Sequence, residues 1–260
     1  MTNISYQNKD IATYFASNRV LWEQFYLSER KVIAALAPTP QTRVLDVGCG
    51  CGGLGLALSE AFGVHDYTGV EINKEAALAA RQMNPHARIL EGDILHVGES
   101  ELADQLFDLV FSLSCVDWNV EFEPMFRTAW NKVVPGGSLV ATFRLTDGAG
   151  CRDMDRSYQY INYEGRKEGE LAAYVVLNAA ELMSLFIGLE PARVHVYGYF
   201  GRPSSTAVTP YDRLCFVACS VHKRRDSDGP EIGCALEVPP EIQEPMRKEI
   251  GKGMRAYKIL

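Results

Sequence analysis

Apolar residues recur at spacings near three and four over residues 10–37, at Ile11, Tyr14, Phe15, Trp22, Phe25, Tyr26, Val32, Ile33 and Leu36. This period predicts a helical cap, which Pro38 and Pro40 end. Short apolar runs then alternate with stretches of helical period. Strands are predicted at 43–47, 67–71, 88–91, 106–112 and 138–144, with helices at 54–62, 74–83 and 122–133 between them. That alternation predicts an α/β fold: a doubly wound, mostly parallel sheet covered by helices on both faces. Beyond Arg144 the pattern loosens into a polar insertion at 146–171, punctuated by Gly148, Gly150, Gly165 and Gly169. It carries the aromatic stretch Tyr158-Gln159-Tyr160-Ile161-Asn162-Tyr163, and 172–177 is a candidate strand to pair with it. Asn178 with Glu181 three residues on reads as a capping box for a helix to about Ile187. Two last strands are predicted at 193–199 and 214–221, joined by a Pro/Ser/Thr-rich connection at 201–212. The expected domain limits are a cap over 1–40, the main domain over 41–222 and a tail over 223–260 that wraps the surface or serves an oligomer contact.

Composition narrows the classes. The 260 residues are 47% hydrophobic and 23% charged, which excludes global disorder and coiled coil. No apolar run is long enough to span a bilayer, and the first residues lack the basic-then-apolar pattern of a secretory leader. A cytoplasmic location without a membrane partner is the expectation, with a homodimer allowed. The net charge of -7 opposes nucleic-acid binding, and Lys223-Arg224-Arg225 reads as a solvated loop. The seven cysteines show no CxxC spacing and are read as free thiols, with no metal site.

Candidate chemistry concentrates at 44–55, Val-Leu-Asp-Val-Gly-Cys-Gly-Cys-Gly-Gly-Leu-Gly: an apolar strand, an acid, a glycine-rich turn and an apolar helix. Glycines let a backbone turn tightly and approach a ligand, which in open α/β sheets sits beyond the carboxyl ends of the strands. Gly48, Gly50 and Gly53 also satisfy the dinucleotide pattern, so glycines alone leave the ligand open. Asp46 would repel a pyrophosphate and suits a ligand with a cationic amine. Glu71 ends the next strand, where an acid can accept hydrogen bonds from both hydroxyls of a ribose. Asp93, in Gly92-Asp93-Ile94, can accept from an adenine amino group, with Ile94 against the ring.

With Phe107-Asp108-Leu109-Val110 and Pro135-Gly136-Gly137 in the same order, the chain resembles the class I S-adenosylmethionine-dependent methyltransferases over roughly 40–220. The resemblance implies a Rossmann-like, seven-stranded sheet whose last two strands are antiparallel additions. It implies S-adenosylmethionine as cofactor, with Asp46, Gly48, Cys49 and Gly50 at its methionine end and Glu71 and Ile72 at its ribose. Asp93 and Ile94 would hold adenine, and Ser112 and Leu113 would lie beneath the sulfonium. The implied activity is direct in-line methyl transfer to oxygen or nitrogen of a small-molecule acceptor. Aminopropyl transfer on the same fold, a noncatalytic cofactor-binding subunit and a nicotinamide-dependent oxidoreductase are the alternatives. Asp46 speaks against the last, and the intact turn with Glu71 against the second.

The acceptor side is read by position. Strand ends four and five lead into Asp117-Trp118 and Arg144, which should border the methyl group. Asp117 is the candidate base, and Trp118, Arg144, Tyr158 and Tyr160 are candidate acceptor contacts. The insertion with Tyr163 is a candidate lid, and Tyr14, Arg19 or Trp22 of the cap are candidates to face the cofactor. Asp117 and Asp147 are the acids placed for a divalent cation, but no metal is expected. Cys115 reads as a packed thiol, Asp108 as a surface pairing, and His195 and His222 as structural.

Overall fold

The computed structural model describes residues 16–162 and 164–253, and the backbone of 257–259. The predicted parallel strands form at β1 (Arg43–Val47), β2 (Asp66–Glu71), β3 (Arg88–Glu91), β4 (Phe107–Ser112) and β5 (Val133–Thr146). They lie in the order β3-β2-β1-β4-β5, every neighbouring pair parallel. β5 then pairs antiparallel with β11 (Leu214–His222), which pairs antiparallel with β9 (Arg193–Gly201). These seven strands are the expected mostly parallel α/β sheet with its antiparallel addition.

Helices seal both faces because each presents an apolar stripe. On one side α1 (Leu27–Ala35), α2 (Gly53–Phe62) and α3 (Lys74–Met83) bury Val32, Ile33, Leu58 and Ala80 against Val44, Tyr67 and Phe111. On the other, α4 (Ile94–Val97), α5 (Phe122–Asn131) and α6 (Ala179–Ile187) cover the sheet. There Phe122, Phe126 and Phe186 surround Phe143, with ring centroids 5.8–6.2 Å from it. Asn178 caps α6 as its spacing predicts, accepting from Ala180 and Glu181 N–H, with the Glu181 side chain reaching back.

The insertion makes a small second sheet of β6 (Tyr158–Tyr160), β7 (Leu171–Ala173) and β10 (Ala207–Val208), while β8 (Leu177–Asn178) continues the edge of β5. The 172–177 strand thus pairs with the aromatic stretch but divides into β7 and β8.

Three expectations change. The 10–37 helix is not continuous: after Arg19, at φ +62°, the chain makes a short 3-10 turn, Trp22–Gln24, before α1 starts. A side chain in that left-handed region cannot continue a helix. Ile11, Tyr14, Phe15 and Tyr163 lie outside the described residues. The segment read as a tail joins the sheet instead: β12 (Ile232–Glu237) pairs parallel with β9, and β13 (Tyr257–Ile259) with β12. Between them α7 (Pro240–Gly253) buries Ile242, Met246 and Ile250 in the core that holds α6. Lys223 and Arg224 are half-buried rather than solvated: Lys223 Nζ donates to the Val133 carbonyl at 2.9 Å and Arg224 Nη2 to the Pro191 carbonyl at 2.7 Å. Carbonyls at the ends of elements need donors, and these cations supply them. Among the described residues no helix is long and apolar enough to cross a membrane.

Phe143→Ala removes the ring at the centre of the aromatic cluster. The variant should lose about 3–5 kcal/mol of unfolding free energy, read as a lower urea midpoint with an unchanged slope.

Candidate active site

A cleft of about 870 Å³ opens at the carboxyl ends of β1, β2, β4 and β5. The N-terminal segment and the small sheet wall its mouth through Arg19, Tyr26 and Tyr160. A shallower hollow of about 470 Å³ lies at the opposite, amino ends of the strands, around Arg43, Asp66 and Arg88. Only the first holds the predicted motif.

Its floor is the turn between β1 and α2, where Gly48, Gly50 and Gly52 all take positive φ. A Cβ at Gly48 would stand 2.3 Å from Cys115 Sγ, so glycine is demanded by both conformation and contact. A Cβ on Gly53 would meet the Arg19 carbonyl at 2.1 Å, so the first residue of α2 must also be bare for the N-terminal segment to close over it. Gly48 and Cys49 donate to the Val70 carbonyl at 2.9 and 3.1 Å, anchoring the turn on β2.

Three carboxylates face this floor. Asp46 is 4% exposed; its Oδ2 accepts from the Tyr67 hydroxyl at 2.7 Å. Its Oδ1 has no partner among the described residues and is not sealed from the cleft. Burial pushes its pKa up to about 7, with the Tyr67 bond and the Arg19 charge opposing. Glu71 accepts from Gly50 N–H through Oε2 and Asn73 N–H through Oε1, both at 2.8 Å. Burial raises its pKa, and those backbone bonds hold it down. Asp93 caps α4, its Oδ1 accepting from Leu95 N–H at 2.9 Å.

The wall where the sequence placed acceptor contacts is a buried ion pair among aromatic rings. Asp117, in the short turn Val116–Trp118, lies with Oδ2 3.2 Å from Arg144 Nη1, both side chains 6% exposed. Arg144 Nη1 also donates to the Asp117 carbonyl at 2.8 Å. The Arg144 Cζ lies 4.6 Å from the Trp118 ring centroid and 3.9 Å from that of Tyr174. Burial raises the Asp117 pKa while the Arg144 charge lowers it. The Asp117 Oδ1 and Trp118 Nε1 atoms are sealed and unpartnered. Cys115 stands beside the glycine turn with its pKa pushed up to about 12 by burial, so it is a neutral thiol.

The cleft therefore brings together Asp46, Gly48, Cys49, Gly50, Glu71 and Ile72 from the first two strand ends. Asp93, Ile94, Leu113, Asp117, Trp118, Arg144 and Tyr160 join them from the later ones. Trp22 of the cap packs against Phe62 at 5.1 Å and is off the wall, and so are two further expected residues. Ser112 is fully buried in β4, paired with Ala141 of β5. Tyr158 sits in the middle strand of the small sheet, opposite Ala173 and Val208, and packs edge-on to Tyr160 at 5.7 Å. Asp147 is exposed beyond β5, away from the ion pair. Asp108 pairs with Arg43, His195 with Glu237, and His222 with Ser138. Tyr174 and Tyr199 line the cleft without having been singled out. Topology held the signal for Tyr199: β9 is antiparallel to β11, itself antiparallel to β5, so the end of β9 returns to the ligand side. Tyr174 carried only one hint, a lone hydroxylated ring in an apolar run.

Residues 44–137 match the model of a family described as methyltransferase domain. Trans-aconitate 2-methyltransferase of Deinococcus radiodurans is 28% identical over 113 residues, 42% of this chain and 41% of that protein. Phosphoethanolamine N-methyltransferase 3 of Arabidopsis thaliana is 26% identical over 151 residues, 55% of this chain and 29% of that one. The chain thus spans less than half the length of these curated relatives. A crystal structure of an S-adenosylmethionine-dependent methyltransferase from Thiobacillus denitrificans, in complex with S-adenosylhomocysteine, matches with a TM-score of 0.54 and 12% identity. That match covers 85% of this chain and 100% of that one, and it shows a shared fold.

The raised Asp46 pKa fixes the sign of a pH effect. Between about pH 4, the ordinary carboxylate range, and about 7 the folded protein holds a proton on Asp46 that the unfolded chain has released. Stability of the ligand-free protein is therefore lost across that window as pH rises. Asp46→Asn should remove that loss, so its melting temperature relative to the parent should climb from pH 4 to pH 7, about the span of the shift. A constant difference would show that Asp46 titrates normally.

Proposed function

We propose that the chain, whose residues 44–137 match a methyltransferase-domain family, is a class I S-adenosylmethionine-dependent methyltransferase that binds S-adenosylmethionine in the large cleft and methylates a small-molecule acceptor there. The observation that carries this reading is the convergence of Asp46, the glycine turn, Glu71 and Asp93 on one cavity at the strand carboxyl ends.

The residues fit the group. Asp46 keeps one oxygen open to the cleft, suited to a ligand ammonium. Each Glu71 oxygen accepts one backbone N–H and retains capacity for a ribose hydroxyl donor. Gly50, whose missing Cβ would meet nothing within 4 Å, leaves room for close approach by the methionine end, with Gly48, Cys49 and Ile72 beside it. Asp93 and Ile94 would take the adenine, and Leu113 would lie near the sulfonium. When bound, S-adenosylmethionine supplies a methyl group already activated for in-line displacement. The chain's own part is to position the acceptor and exclude water. The buried Asp117–Arg144 pair, the Trp118 and Tyr174 rings and Tyr160 of the small sheet do this at the opposite wall. Asp117, read from the sequence as the candidate base, turns Oδ2 to Arg144 and has its Oδ1 sealed, so its part is to hold the guanidinium and not to touch the acceptor. Asp46 disfavours a nicotinamide dinucleotide, whose pyrophosphate would meet an anion.

Calorimetry should show S-adenosylhomocysteine binding and no heat with NAD. Glu71→Gln should weaken that binding at least about tenfold, since each hydrogen bond to a charged group is worth about 1.5–3 kcal/mol. It should also lower the ligand-free melting temperature, because the same carboxylate holds Gly50 and Asn73. NAD binding without S-adenosylhomocysteine binding would overturn the assignment.

A further inference from the structure

Arg144 stands near the end of β5 on the acceptor side of the cleft. Its side chain is 6% exposed, so its guanidinium has lost nearly all bulk water. A cation placed so needs a full set of partners. The protein provides only part of one. Every hydrogen bond and ion-pair contact that Arg144 makes among the described residues runs through Nη1: to the Asp117 carbonyl at 2.8 Å, to the Val175 carbonyl at 3.5 Å and beside Asp117 Oδ2 at 3.2 Å. Nε and Nη2 have none, yet neither is among the polar atoms sealed from solvent. They form one edge of the planar donor fork, and that edge opens onto the cleft. The Tyr174 and Trp118 rings, 3.9 and 4.6 Å from Cζ, pack against the guanidinium and fix its plane.

Resting on the methyltransferase reading above, we propose that the acceptor is a small organic acid whose carboxylate is gripped by the Nε/Nη2 edge of Arg144. Two coplanar oxygens match two coplanar donors, the bidentate geometry that distinguishes arginine from lysine. Asp117 engages the guanidinium through Nη1 alone, so the opposite edge is left for the oxygens of a ligand. Other chemistries fit less well. A phosphate carries a second charge into a cleft already lined by Asp46, Glu71, Asp93 and Asp117. An ammonium would face the guanidinium, and a lone hydroxyl would leave one edge donor unpaired. Trp118 and Tyr174 supply flat apolar walls for the rest of a small acid.

The test uses full-length protein saturated with S-adenosylhomocysteine and titrated with propionate, benzoate, malonamide and inorganic phosphate, followed by thermal shift. The two carboxylates should raise the melting temperature saturably, and malonamide and phosphate should not. Arg144→Lys keeps the charge but loses the fork, and should weaken the carboxylate response at least about tenfold, a step of about 1.4 kcal/mol. S-adenosylhomocysteine affinity should stay within about twofold. Removing Arg144 alone would leave Asp117 buried without its cation. The double variant Asp117→Asn/Arg144→Gln deletes both charges together, and should fold, bind S-adenosylhomocysteine and ignore the acids. Equal responses to malonamide or phosphate, or an acid response that survives in the double variant, would overturn the proposal. S-adenosylhomocysteine binding with no acid response defeats this proposal alone. Loss of S-adenosylhomocysteine binding in the parent protein defeats the cofactor reading on which it rests, and the proposal with it.

Discussion

The carboxylate of Glu71 is the join on which the cleft depends. β2 ends there, between the glycine turn that leaves β1 and the first turn of α3. Oε2 takes the N–H of Gly50 and Oε1 that of Asn73. One buried side chain thereby fixes two loops against the end of a strand. A carboxylate suits the place because it only accepts, and accepts several donors. Asn73, once positioned, caps α3 by accepting from Ala76 N–H at 2.9 Å, so the order imposed at Glu71 passes into the next helix.

The walls of the cleft obey a second constraint, that a buried charge must be answered locally. Arg19 donates to the fully buried Glu29 at 2.8 Å and lies over Phe25 and Tyr26. Arg144 does the same with Asp117 between Trp118 and Tyr174. Breaking such a pair by removing one partner costs about 3–5 kcal/mol, whereas the pair itself adds little to stability. These pairs therefore fix where things stand more than they stabilise the fold. The first holds the N-terminal segment over Gly53, and the second sets the plane of a guanidinium in the cleft wall beside Trp118 and Tyr174.

How much of this could be seen in the chain follows from how local each feature is. The alternation of apolar strands and helices and the capping box at Asn178 depend on neighbours in sequence, and both form as predicted. The convergence of Asp46, Gly48, Gly50 and Glu71 on one cleft was legible for the same reason, because strand ends and the turns that follow them are contiguous. The break at Arg19 was not. Its left-handed backbone is stabilised by packing against Gly53 and by Glu29, contacts that periodicity in one segment does not contain. Tyr174 was hidden likewise, since its role arises from a fold-back that brings 174 onto Arg144. Ser112 was misplaced by one position in the other direction: the strand runs through it, and the chain reaches the cleft only at Leu113.

The C-terminal segment shows why a weak pattern can still be structural. Without β12, β9 would leave a row of unpaired backbone groups at the edge of the sheet, an invitation to pair with another chain. Residues 233–237 cover that row along 193–197 of β9, and Arg224 ties the same region together by donating to the carbonyls of Pro191 and Glu231. The covered stretch is the amino end of β9. Its carboxyl end, from Tyr199 to Gly201, borders the cleft and is left to the small sheet and to the loop with Ser204 and Thr206. Along one strand, then, stability and ligand access are assigned to opposite ends. The wall of the cleft can vary through 199–206 and the insertion without disturbing the edge that β12 protects.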